Sequence, residues 1–260
     1  MSKTVVVTTI STNTVFSVFL VFARVGSACM LMPGVGEVNV PSRWKLLISI
    51  CLSIIIYNAA SFQFPKMPAS IIGLFLLIAH EVLVGLCLGL ISKLVLSALH
   101  VTGMVVSMQS GLSAAMMFSN IQDTQSSIIG NFLYNIVIVL LLLANLHLDF
   151  VRTLANSYDV ISFMSFSTHY NDFAEIFVKT VSNVWSVGLR LSMPFVIAGL
   201  VMFIAMGIMS RLMPQLQMFF LMLPAQIAVF IIIFYMVISS SVVWFLEQYH
   251  EIMAGLFGIF

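Results

Sequence analysis

Apolar residues run through this chain in six long stretches, at 14–32, 46–62, 69–107, 128–148, 178–209 and 216–247. A helix rising ~1.5 Å per residue needs roughly 20 residues to cross a hydrocarbon layer of ~30 Å. The first, second and fourth stretches are near that length, and the other three exceed it. Turn chemistry separates them. Pro33-Gly34-Val35-Gly36-Glu37 closes the first stretch, Pro41 stands at the start of the second, and Pro65-Lys66-Met67-Pro68 divides the second from the third. The polar run 119–127 parts the third from the fourth. The interval 149–177, with Asp149, Arg152, Asp159, Asp172 and Glu175, reads as the longest loop. Glycine reaches positive φ, proline stops a helix, and Asn and Ser compete for backbone hydrogen bonds. The pattern predicts an all-α membrane protein of helical hairpins.

Composition strengthens that reading. Of the 260 residues 61% are hydrophobic and 7% charged, and the mean hydropathy is +1.14. A soluble domain carries about 25% charged residues, so this surface must face lipid or other apolar protein. The formal net charge of +1 includes no basic stripe, which argues against nucleic acid as a partner. Cys29, Cys51 and Cys87 are scattered through apolar runs and form neither a disulfide framework nor a metal motif. No small-residue cleavage pattern follows the first stretch, which is expected to stay in the mature protein. With the N-terminus placed inside, Lys3, Lys66, Arg152 and Lys179 face Arg43, Lys45 and Arg211 across the membrane. That balance gives no orientation by the positive-inside rule.

Four charges fall inside apolar runs: Arg24, Glu81, Lys93 and Arg190. Each costs about 2.5–3.5 kcal/mol on insertion scales and tends to face protein or water. One carboxylate among scattered cations makes a poor proton relay, so inter-subunit or helix-end ion pairs and snorkelling side chains are expected instead. His80 beside Glu81 has no second ligand at helical spacing, and His100, His147, His169 and His250 are dispersed. No metal and no cofactor is expected. Gly85 and Gly89 let helix backbones approach closely, within the chain or against another subunit. Pro194 and Pro224 should kink the last two apolar helices, with Pro214 in the turn between them. Eighteen methionines include a cluster at 104–117 beside a polar loop, where flexible apolar side chains could form a seal. Neither a phosphate-binding Gly-rich loop with Lys-Ser/Thr nor a Gly-x-Ser-x-Gly or His-Glu-x-x-His motif occurs, so an intramembrane enzyme is disfavoured. A small-solute transporter would need convergent midplane polar groups, and the charges do not converge in sequence.

Several fragments, taken in order, resemble the flagellar biosynthetic protein FliR family and its injectisome relatives. They are Arg24-Val25-Gly26, Pro33-Gly34, Val40-Pro41-Ser42-Arg43, Glu81-Val82-Leu83-Val84-Gly85, Gly89 and Gly103. Gln109-Ser110-Gly111-Leu112-Ser113, Asn145-x-His147 and Ser157-Tyr158 follow. The most specific is Arg211-Leu212-Met213-Pro214-Gln215-Leu216-Gln217-Met218-Phe219-Phe220, with Pro224 after it. The chain departs from the family pattern at Asn120-Ile121-Gln122-Asp123 and at Leu146.

The resemblance implies a non-enzymatic subunit of the flagellar type III protein export gate in the bacterial inner membrane, at the flagellar basal body. It implies one FliR-like domain over 1–260, with a FliP-like part over 1–177 and a FliQ-like C-terminal hairpin over 178–260. The implied partners are FliP-like and FliQ-like subunits, FlhB-like and FlhA-like export proteins, unfolded export substrates and membrane lipid. A pore plug is implied within Gly111–Asp123, at Gly111, Leu112, Ser113, Met116, Met117, Phe118 and Asp123. A subunit interface around the hairpin turn is implied at Arg211, Pro214, Gln215, Phe220 and Pro224. A virulence injectisome homologue is the alternative of the same kind.

Overall fold

The computed structural model describes residues 12–59, 65, 67–68, 70–113, 127–161, 170–212 and 218–256. Regular structure among them is entirely helical: α1 (Thr12–Cys29), α2 (Ser42–Ala59), α3 (Ile71–Gln109), α4 (Ile128–Leu143), α5 (His147–Val160), α6 (Tyr170–Leu212) and α7 (Met218–Gly255). Four helices, α2, α3, α6 and α7, are long and apolar enough to cross a membrane, and the bent pair α4–α5 would make a fifth span. The all-helical membrane fold expected from the hydrophobic pattern is therefore the fold observed.

The chain divides into two compact units that interleave along the sequence. One comprises 1–93, 148–175 and 256–260, and the other comprises 94–147 and 176–255. In the first unit α1 packs on α2, joined by a tight turn in which Gly34 takes φ 80°. Gly36 donates to the Met32 carbonyl, and a Cβ at Gly36 would lie 2.5 Å from the Met30 carbonyl oxygen. The core of this unit gathers Leu20, Val25, Ala28, Val84, Leu88, Phe150 and Leu154. Helix α3 comes close to α1 because Gly85 and Gly89 present no side chain. A Cβ on Gly85 would meet the Arg24 carbonyl at 2.1 Å, and one on Gly89 would meet Leu31 at 2.8 Å. Of the two readings of this glycine spacing, packing within the chain is the one observed.

The interval 149–177, read from sequence as loop, instead holds α5 and the start of α6. Helix α5 is amphipathic. Phe150, Thr153, Leu154, Ser157 and Tyr158 are buried, while Arg152, Asn156 and Asp159 are exposed, a 3–4 residue recurrence. Arg152 and Asp159 stand on its exposed face.

The second unit holds the C-terminal half of α3 with α4, most of α6 and α7. A small core of Val106, Phe195 and Phe230 carries Ile129, Ala198, Ile233 and Phe234 against it. Here too a glycine pair sets the approach: a Cβ on Gly103 would lie 2.1 Å from Gly130 Cα. Helix α4 ends where Asn145 adopts φ 59°. Leu146 N–H donates to the Leu141 carbonyl at 3.0 Å and Asn145 N–H to Leu142 at 3.2 Å, the paired bonds of a Schellman cap. The chain then passes into α5. Helices α6 and α7 run through Pro194 and Pro224.

Candidate functional site

Two polar centres stand out in an otherwise apolar molecule, one in each unit. The first is built on Arg24 of α1, which is wholly buried together with Glu81 of α3. Arg24 Nε donates to Glu81 Oε2 at 2.7 Å and Nη2 to Oε1 at 3.0 Å, a bidentate fork. The remaining donors reach α5 and the residue after it: Nη1 to Ser157 Oγ at 3.1 Å, and Nη2 to the Ile161 carbonyl at 3.2 Å. The guanidinium also lies 4.0 Å from the centre of the Tyr158 ring, a cation–π contact. One cation thus ties three helices. Inter-subunit or helix-end pairs were expected for such charges, but Arg24 and Glu81 pair inside one chain. Lys93 and Arg190 are exposed.

The second centre lies where α3 ends and the implied plug begins. Ser127 caps α4 by accepting from Gly130 N–H at 3.0 Å. Its hydroxyl also contacts the Gly103 carbonyl at 2.8 Å and Ser107 Oγ at 2.7 Å, both on α3. On the other side of the loop, Ser110 N–H donates to Val106 and Gly111 turns the chain at φ 75°. Gln226 of α7 donates through Nε2 to the Gln109 carbonyl and would be the first group met by a Cβ on Gly111, at 3.5 Å. Both roots of the loop are therefore fixed on the last turns of α3. Beside them opens an apolar groove of about 280 Å³, lined by Val106, Leu112, Ile128, Phe132, Phe230 and Phe234 among others.

Of the sequence-predicted plug residues, Gly111, Leu112 and Ser113 lie at this root, and Leu112 lines the groove. Met116, Met117, Phe118 and Asp123 lie outside the described residues. At the predicted hairpin, Arg211 is exposed near the end of α6 and Pro224 is exposed within α7. Phe220 belongs to α7, with its side chain outside the described set, as are Pro214 and Gln215 entirely. Sequence reasoning missed Ser107, Ser127 and Gln226. Ser127 carried a readable signal, a serine directly before an apolar run; the other two carried none.

Comparison with known proteins now bears on this arrangement. Residues 15–252 match the family model described as bacterial export proteins, family 1. A flagellar biosynthetic protein FliR from Caulobacter vibrioides is 30% identical over 243 residues, covering 92% of this chain and 96% of that protein. The chain belongs to the FliR family of bacterial export proteins. Further relatives bear the same name: one from Bacillus subtilis is 29% identical over 86% of each chain, and one from Escherichia coli is 24% identical over 79% of this chain and 78% of its own. The match takes in Arg24, Glu81, both loop roots, α6 and nearly all of α7.

Proposed function

We propose that this chain is a gate and scaffold subunit of the flagellar type III export apparatus in the bacterial inner membrane. It lets unfolded flagellar proteins pass and performs no chemistry itself. The observation that carries this reading is the FliR-family match along 15–252, joined to helices whose apolar surface is left largely uncovered. Trp44, Ile72, Phe75, Ile197, Ile204 and Tyr235 are each more than half exposed, and a surface of that kind calls for partners. FliP-like and FliQ-like subunits are proposed to cover it, with 1–177 acting as the FliP-like part and 178–260 as the FliQ-like hairpin. FlhB-like and FlhA-like proteins are proposed to adjoin the assembly.

Within that assembly the segment Gly111–Asp123 is proposed to plug the pore. Its fixed roots support this reading, because a plug must stay tethered while its tip moves. Met116, Met117 and Phe118 supply apolar bulk that excludes water and ions. The reading is tested by purifying the tagged chain from its own membranes and identifying what accompanies it. Co-purification of FliP-like and FliQ-like subunits is expected. A stable, monodisperse chain recovered alone in mild detergent would contradict the proposal.

A further inference from the structure

Arg190 interrupts the exposed apolar surface of α6. Leu189 and Met193 beside it are 47% and 54% exposed, and the surface continues through Trp185 and Val178 on one side and Ile197 and Leu200 on the other. Among the described residues no carboxylate pairs with Arg190. It opens instead onto a cavity of about 190 Å³ between α6 and α7, lined by Arg190, Leu191, Pro194, Ser240, Ser241 and Trp244. The polar side chains there are a guanidinium, two hydroxyls and an indole N–H, all able to donate. Pro194 has no N–H, so the Arg190 carbonyl four residues earlier lacks its helical donor, leaving the helix open to a kink at the cavity.

Whatever covers this face takes Arg190 out of water, and a guanidinium so buried needs a counter-charge. Lipid alone fits poorly. The apolar stretch Phe177–Leu212 has 36 residues, about 54 Å of helix against a ~30 Å hydrocarbon layer. Arg190 lies within that stretch, so a lipid headgroup seated at Arg190 would leave Trp185 and Val178 uncovered beyond it. A second long helix would cover both sides.

We propose that this cavity receives a carboxylate carried on an apolar helix of a partner subunit. Arg190 forms a forked ion pair with it, and Ser240, Ser241 and Trp244 donate to its remaining oxygen lone pairs. This rests on the proposal that the chain works inside a multi-subunit assembly.

The test uses the full tagged chain expressed in its own membranes with a photo-crosslinking residue at Val243, which is 56% exposed one helical turn from Ser240. The expected cross-link is to a peptide of another subunit that holds an Asp or Glu within a turn of the linked residue. Arg190→Glu should lower recovered complex at least tenfold, and placing Arg at the partner carboxylate in the same cells should restore it to within threefold. Since Arg190 is exposed in the chain itself, Arg190→Gln should insert at normal levels. Cross-links to lipid only, cross-links to a peptide without a carboxylate, or normal complex recovery with Arg190→Gln would each overturn the inference while leaving the assembly intact. Failure to recover any complex with Arg190 in place would overturn the assembly reading, and this inference with it.

Discussion

Removing the carboxylate of Glu81 would leave the Arg24 guanidinium buried with no counter-charge. Breaking a buried pair from one side costs about 3–5 kcal/mol, so Glu81→Ala should sharply lower the thermal midpoint of the purified complex, or its recovered amount. A melting curve like that of the intact chain would show that the pair does not hold α1 to α3. Both residues are visible in the sequence as charges in apolar runs. Their pairing is not visible, because 57 positions separate them and only the approach of α1 to α3 at Gly85 brings them together. Glycines offer a second contrast. Gly85→Ala places a methyl 2.1 Å from the Arg24 carbonyl, whereas a Cβ on Gly207 meets nothing within 4 Å. Gly85→Ala should destabilise the chain, while Gly207→Ala should leave it equal or more stable by up to about 1 kcal/mol through helix propensity. Equal losses in the two variants, measured by thermal unfolding in detergent, would refute this packing account.

Among the elements, the break between α4 and α5 depends on one backbone conformation. Asn145 sits at φ 59°, and its N–H and that of Leu146 each donate one hydrogen bond to the end of α4. Asn145→Val forces a β-branched residue into the left-handed region, at a cost of about 1–3 kcal/mol, whereas Asn145→Gly should be tolerated. Comparing expression and melting of the two variants checks this; similar behaviour would mean that the break is set elsewhere. Periodicity made the long apolar helices legible, since α3, α6 and α7 each carry apolar residues far beyond the length of a soluble helix. It hid α5. Asp149, Arg152 and Asp159 suggested loop, yet Phe150, Leu154 and Tyr158 recur along one buried face. A low average hydropathy conceals an amphipathic helix unless the phase of its apolar residues is followed.

At the scale of the whole molecule, both roots of the proposed plug are held at the last turns of α3. Ser127 and Ser107 hold one end to α3, and Gln226 bonds to the Gln109 carbonyl beside Gly111 at the other. Little of this was legible beforehand, because these contacts join residues far apart in sequence and serines in membrane helices are common. The central claim is that the loop between these roots closes an export pore. Its most direct test is the ion conductance of membranes holding assembled complex from which part of Met116–Gln122 has been deleted, compared with intact complex at equal abundance. The deleted form is expected to leak ions and small solutes while assembling normally; a membrane that stays as tight as the intact one would show that the segment is only a connecting loop.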